Sequence, residues 1–398
     1  AGISFFFFFF VGWAMYYTIH SILYPLPSDN EASLVIWENF QSGYLPYFFH
    51  ITAVSLGALA IWKGIRSIEK VNMVLIPLLF LIIVTTFLRA ITLPGAYEGI
   101  SYLFRPDWSQ LSSPEIWLQA LTQNAWDTGA GWGLFLTYAA YMKTEHGIVK
   151  NAFITGIGNN MISLLMAIII FSTVFSVLQH GQSYSDTQVL EVMKTSGPAS
   201  TGLTFIWIPT LFGTMPFGRM LAIMFFMGLT FAGFTSMISM FELSARIFVD
   251  RGVQRKKALW IIIPIVFLLG IPSVISLDFL SNQDFVWGIG LIISGVFIAI
   301  SIRFSGINSY LKSIEDESTP GFSRYWKIIV LYFVPVSGTL LLIWWMMLAA
   351  TRFAPGEWYN PFNPFSVMTC LLQWFVIIAL LIFWNNKIAG DHSKIIGQ

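Results

Sequence analysis

Ten apolar runs of about twenty residues or more punctuate this chain, at about 3–26, 45–65, 71–93, 114–143, 149–178, 216–250, 256–275, 283–307, 325–350 and 366–388. A bilayer core about 30 Å thick is crossed by ~20 apolar residues in a helix. Inside it, a backbone must satisfy its own hydrogen bonds. The pattern therefore predicts an all-α integral membrane protein with ten transmembrane helices. Composition agrees: 56% of the 398 residues are hydrophobic and 10% are charged, against roughly 25% charged in soluble domains. So few charges cannot clothe a water-soluble enzyme or a nucleic-acid binder. The net charge of +1 gives no global attraction for a polyanion. Cys370 is the single cysteine and forms no internal disulfide. No phosphate-binding loop or dinucleotide glycine fingerprint occurs, so no organic cofactor is expected. An intramembrane enzyme would need a dyad or metal ligands within the spans. His20 and His50 are the histidines near membrane segments, and His20 has no second ligand nearby in sequence. The reading is not an enzyme.

Lysine and arginine placement sets the orientation. With the 63–70 connection on the cytoplasmic side, that side holds sixteen of the 21 basic residues, among them Lys63, Arg66, Lys70, Lys143, Arg255, Lys256 and Lys257. Arg89, Arg105, Lys194, Arg219 and Arg352 fall opposite. Both termini of this chain are expected in the cytoplasm, in a multi-pass plasma (inner) membrane protein of prokaryotic character. The longest outer connection, about 179–215, is polar and then Gly/Pro-rich, with a short helix expected from Asp186.

The informative stretch is Gln119 to Tyr141, QALTQNAWDTGAGWGLFLTYAAY. Gly129, Gly131 and Gly133 weaken helix continuity inside the membrane. Asp127 sits about 20 Å along the run, near mid-membrane. A carboxylate at that depth needs a cation, a proton or water. Its coincidence with the glycines suggests a discontinuous helix whose freed backbone groups hold ions and substrate; a glycine-packed crossing with a neutral Asp is the plainer alternative. Asn159 and Ser163 share one face four residues apart, as do Gln123 and Asp127. On 216–250, the carbonyl of Ala232 and the hydroxyls of Thr235 and Ser236 lie along one stripe. Such hard oxygen ligands suit an alkali cation, although a lone intramembrane hydroxyl most often bonds its own backbone.

At these residues the chain resembles the neurotransmitter:sodium symporter family, with the fold of the bacterial leucine transporter. AMYYTIHS resembles the family's third helix, KGIRSIEKVNMVLIPLLF the entry to the fifth, PEIWLQALTQNAWDTGAGWG the unwound sixth, and GNNMIS the seventh. AGFTSMISMFELSARIFVD resembles the eighth and SNQDFVWGIG the start of the tenth. The resemblance implies ten helices matching the family's third to twelfth. Residues 1–398 would form a single transporter domain, in which 1–113 is the remainder of a first repeat. A second inverted repeat would occupy 114–307, and two C-terminal helices 325–390. It also implies sodium-coupled symport of an amino acid or related small amine by alternating access.

Carried over position by position, Ala232, Thr235 and Ser236 fall on one sodium site, and Asp127 and Asn159 on another. Trp13, Tyr17, Trp126, Gly129, Trp132, Ser236 and Met240 line the substrate pocket, with Trp126 as its lid. Asp284 falls at the outer gate, Tyr141 and Asp250 at the inner gate. Gln123, Asp127 and Ser163 match the family's anion-site cluster. Position 127 is usually Ser or Thr in the family; an Asp there supplies a fixed negative charge, so transport is expected to be independent of chloride. Gly129 in place of a serine removes a hydroxyl from the pocket. Three spans precede the broken helix where the family has five, so the chain is read as N-terminally incomplete, without the two helices that carry the basic partners of Asp284 and Asp250. The expected partners are sodium, a small amino acid or amine and the lipid bilayer, and no nucleic acid. The last two helices either pack on lipid or form a homodimer contact. A non-transporting, degenerate homologue or subunit is the alternative reading.

Overall fold

A computed structural model describes residues 2–139, 141, 147–194, 201–314 and 322–396. The apolar runs become helices as their length requires. These are α1 (Gly2–Leu23), α2 (Asn30–Ser42), α3 (Leu45–Ile61), α4 (Ile65–Ile91), α5 (Ala96–Leu103), α6 (Pro114–Asp127), α7 (Leu134–Ala139) and α8 (Ile148–Phe175). They continue with α9 (Asp186–Lys194), α10 (Ile208–Gly213), α11 (Gly218–Val249), α12 (Arg255–Ile275), α13 (Leu277–Ile314), α14 (Phe322–Ile328), α15 (Val334–Leu348) and α16 (Val367–Ile396).

Among the described residues, seven helical stretches are long and apolar enough to cross a membrane: Ile65–Ile91, Ile148–Gly181, Gly218–Val249, Arg255–Ile275, Leu277–Asn308, Tyr325–Phe353 and Val367–Trp384. An eighth is added if α2 and α3, bent by 71° at their junction, count as one. The expected runs at 3–26 and 114–143 are helical but shorter or broken: α1 in the first, α6 and α7 in the second. The structure adds α2, which the sequence reading left as a connection. Its N-cap is Asp29, whose carboxylate accepts from the Ala32 N–H at 2.8 Å. That bond, with the Ser28 hydroxyl, holds the Asp29 carboxyl below its usual range. In the long outer connection α9 starts at Asp186 as expected, and α10 follows; residues 195–200 lie outside the described residues.

The chain divides into two compact units. The first comprises Ala1–Asp107, Met161–Ala245 and Arg255–Ser281. Here α1, α3 and α12 pack on one another, and the close approach uses small residues. A Cβ on Gly12 would lie 3.2 Å from the Phe49 backbone. Its core is aromatic, with Phe8, Phe9, Trp13, Phe40, Phe175, Phe226 and Phe241 fully buried. The second unit comprises Trp108–Asn160, Arg246–Gln254 and Asn282–Gln398. In it Val286, Ile289, Cys370 and Trp374 form a buried cluster joining α13 and α16.

Candidate ion and substrate site

In the second unit, α6 ends at Asp127 and α7 begins at Leu134. The intervening break rests on three glycines with left-handed backbone, Gly129 (φ 71°), Gly131 (φ 78°) and Gly133 (φ 80°), a region L-residues rarely occupy. Gly131 has a second reason to lack a side chain. An added Cβ would stand 2.3 Å from the Leu291 carbonyl oxygen and 2.9 Å from the Gly295 nitrogen. The Ser294 hydroxyl donates to the Gly131 carbonyl at 2.7 Å. The broken segment is thus pressed against the backbone of α13 and pinned there. The predicted discontinuity is present where the sequence placed it.

Asp127 closes the first half-helix. Asn159 Nδ2 on α8 donates to Asp127 Oδ2 at 2.8 Å, across 32 residues. This bond joins the two residues expected at one sodium site, and it orients a carboxylate and an amide carbonyl at the break. Trp126 and Trp132 flank it edge-on, their ring centroids 5.4 Å apart at 70°. Trp126 also lies over Gly288 of α13, where a Cβ would be 3.3 Å from its ring.

A cavity of about 480 Å³ lies between α6, α13 and α15, lined in part by Gln123, Trp126, Asp284, Ser337 and Trp345. Trp345 Nε1 donates to the Thr122 hydroxyl at 3.2 Å. The cavity gathers three of the expected site residues from two helices. Elsewhere in this unit, Arg246 lies 5.3 Å from the centre of the Tyr141 ring and 2.6 Å from Asp250. Both residues expected at the inner gate therefore meet one guanidinium, and Asp250, just past the end of α11, has a basic partner four residues back in the chain. The sequence reading looked for that partner elsewhere.

The remaining expected residues belong to the first unit. On α11 the Thr235 hydroxyl donates to the Ala232 carbonyl at 2.8 Å and the Ser236 hydroxyl to the same oxygen at 3.3 Å. This is the backbone bonding expected of intramembrane hydroxyls. It also commits both protons inward, so each oxygen keeps its lone pairs for a cation. Met240 is buried one turn further on. Trp13 packs edge-on against Trp37 and Phe205, at 4.6 and 5.4 Å, and Tyr17 lies tilted against Phe205 and Phe226, each at 5.1 Å. Both are fully or nearly fully buried. The Trp13 N–H and Tyr17 O–H have no hydrogen-bond partner among the described residues, an arrangement that costs free energy unless a polar group meets them. Ser163 lies one turn beyond Asn159 on α8.

One ion pair escaped the sequence reading. Glu242 of α11 is fully buried and takes two bonds from Arg255, Nη1 to Oε1 at 2.9 Å and Nη2 to Oε2 at 2.6 Å. Arg255 Nη2 also donates to the Ile61 carbonyl at 2.7 Å, tying the end of α3 to α11 and the start of α12. The signal was available: Glu242 is a carboxylate inside a run otherwise apolar for a full span. What hid it was counting Arg255 only as a loop charge.

The sodium:neurotransmitter symporter family model matches residues 47–389. The chain belongs to this family. It is 30% identical over 352 residues to an uncharacterized sodium-dependent transporter of Methanocaldococcus jannaschii, covering 80% of this chain and 66% of the relative. It is 29% identical over 317 residues to the sodium-dependent serotonin transporter of Drosophila melanogaster, covering 76% of this chain and 49% of that protein. The chain thus spans about half to two thirds of the length of these two family members. Among solved structures, MhsT in complex with L-phenylalanine superposes with a TM-score of 0.72 at 24% identity, over 86% of this chain and 78% of the other. That likeness shows a shared fold. The family is one of transporters, not enzymes.

Proposed function

We propose that this family member carries out sodium-coupled symport of an amino acid or related small amine by alternating access, without a need for chloride. The observation that carries the reading is the Asn159–Asp127 bond at a three-glycine break. A carboxylate and an amide carbonyl are fixed there beside half-helix ends, the arrangement that secondary transporters use for ions at mid-membrane. Sodium is cargo here. One ion would be held by Asp127 and Asn159, a second by the Ala232 carbonyl with the Thr235 and Ser236 hydroxyls. Trp13, Tyr17, Trp126, Gly129, Trp132, Ser236 and Met240 would line the substrate pocket. The unpartnered Trp13 N–H and Tyr17 O–H supply donors for a polar ligand. Asp284 would act at the outer gate, Tyr141 and Asp250 at the inner one.

In this reading the ten apolar runs are spans ordered as the third to twelfth helices of the leucine-transporter fold, with 114–307 the second inverted repeat and 325–390 the two last helices. The 16-to-5 division of basic residues puts both termini of the chain on the cytoplasmic side of a plasma membrane. Relatives named as sodium-dependent transporters, one of them for serotonin, support an amino acid or amine as cargo.

Chloride independence rests on charge. Gln123 and Ser163 match the anion-site cluster, but Asp127 already brings a negative charge to it. The test is sodium-driven uptake of radiolabelled amino acids and amines by the full-length protein in proteoliposomes, with chloride exchanged for gluconate. Unchanged uptake is expected; a large loss would remove the chloride reading alone. Absence of any sodium-dependent uptake or sodium binding would instead favour a non-transporting homologue.

A further inference from the structure

The turn joining α15 to α16, residues 354–366, is closed by bonds within itself and carries a cluster of rings. Its sequence, APGEWYNPFNPFS, repeats Asn-Pro-Phe twice. In each copy the Asn side chain accepts the N–H of the Phe two residues on, Asn360 Oδ1 from Phe362 and Asn363 Oδ1 from Phe365, both at 3.0 Å. Each intervening proline has no N–H to satisfy. Further polar groups also bond within the turn. Asn363 Nδ2 donates to Glu357 Oε2 at 2.9 Å, the buried Ser366 hydroxyl to the Asn360 carbonyl at 2.6 Å, and the Met368 N–H to the Trp358 carbonyl at 3.0 Å. Asn282 Nδ2 of α13 fixes the turn from outside by donating to the Pro364 carbonyl at 2.8 Å.

While these bonds close the turn on itself, its rings face outward: Phe362 is 92% exposed, Tyr359 60% and Trp358 48%. The turn does not stand alone. Arg352 Nη1 lies 3.9 Å from Glu115 at the start of α6, and Trp108 and Trp117 beside it are also exposed. Three tryptophans, a tyrosine and a phenylalanine therefore rim one end of the second unit, where α15 ends and α6 and α16 begin. Rings with an apolar body and a polar tip concentrate where hydrocarbon gives way to headgroups. A rigid loop linking two membrane spans is held at that depth by chain connectivity alone.

We propose that the 354–366 turn is an interfacial anchor, docking Phe362, Tyr359 and Trp358 into the headgroup region of the bilayer and fixing the depth of the ends of α13 and α16. The occupant of this surface is lipid. The test needs only the membrane reading and not the transport reading, so the two can fail separately.

The full-length protein would carry Cys370→Ala, which removes the one thiol of this chain, and Phe362→Cys labelled with an environment-sensitive fluorophore, in phosphatidylcholine/phosphatidylglycerol vesicles. Val74→Cys on the exposed face of α4 and Thr187→Cys on α9 serve as hydrocarbon and aqueous references. Lipids spin-labelled near the glycerol backbone should quench position 362 at least about twofold more than lipids labelled at the chain end, with weak quenching by aqueous iodide. Iodide quenching equal to that at position 187 would overturn the proposal, placing the turn in water. Protection from both quenchers would also overturn it, showing a protein partner or second copy over the turn. Should Phe362→Cys fail to fold, Tyr359→Cys carries the same measurement.

Discussion

Helices α6 and α11 both carry oxygen groups that we propose as ion ligands, and they present them by opposite means. In α6 the helix stops: three left-handed glycines interrupt it, and Asp127 sits at the last turn with its carboxylate held by Asn159. In α11 the helix runs unbroken from Gly218 to Val249. The groups proposed there as ligands are hydroxyls whose protons are already bound to the Ala232 carbonyl. The first arrangement puts a full charge and backbone dipoles at one point, at the cost of helix continuity. The second keeps the helix and offers only neutral oxygens. A cation at the α6 break should therefore depend on charge and on the geometry of the break, and one at α11 on a few hydroxyl contacts.

The sharpest way to break this contrast is at the glycines. Gly131→Ala combines a disfavoured φ with a Cβ 2.3 Å from the Leu291 carbonyl oxygen, so sodium-dependent ligand binding should be lost and the thermal unfolding midpoint should fall. Gly233→Ala on α11 meets only a Val11 methyl at 3.0 Å; binding there should stay within about twofold, since a side chain can yield where a backbone cannot. Equal effects of the two substitutions would erase the distinction.

Next in size is the buried pair that holds α11. Glu242→Gln leaves Arg255 short of its partner and should cost about 3–5 kcal/mol, read as reduced stability in detergent. The double replacement Glu242→Leu with Arg255→Met should recover much of that loss, because no unpaired charge remains. No recovery would mean that the Arg255–Ile61 bond, not the charge pair, is what matters.

Charge separates the two ion sites most directly. Asp127→Asn keeps the shape and removes the charge; a charged hydrogen-bonding group contributes about 1.5–3 kcal/mol, so apparent sodium affinity should fall about tenfold or more. Thr235→Ala removes one neutral oxygen and should weaken sodium binding less, by about five- to tenfold for a contribution near 1 kcal/mol. The comparison is read from sodium titrations of ligand binding. A larger loss at Thr235 than at Asp127 would reverse the assignment of charge to the α6 site. The smallest effect is expected at Asn159→Asp. It replaces the amide donor facing Asp127 with a second acid and should make sodium binding depend on pH, weaker as pH falls because one of the two carboxyls is then protonated.

Much of this was legible before any fold was known. A carboxylate and three glycines within seven residues of an apolar run have few meanings in a membrane, and the break lies where they predict it. The short helix starting at Asp186 was legible within the polar outer connection. Less legible were the contacts that join distant positions. Ser294 to Gly131 spans 163 residues and Arg255 to Ile61 spans 194; neither shows in local pattern, because hydrogen bonds across a bundle depend on which helix faces lie together. The helix α2 was missed because its mixed polar sequence, NEASLVIWENFQS, lacks the uniform apolarity that marks a span.

What the sequence by itself determined is set by the solvent: long apolar runs must be helical in a bilayer, since only a helix satisfies its own backbone there, and a charge among them must have a purpose. What only the tertiary structure decided is partnership. Asp127 meets Asn159, Asp250 meets Arg246 four residues back, Glu242 is neutralised from the next helix, and the turn after α15 bonds both its asparagines within itself. Each outcome depends on distances between elements, which the order of residues alone does not fix.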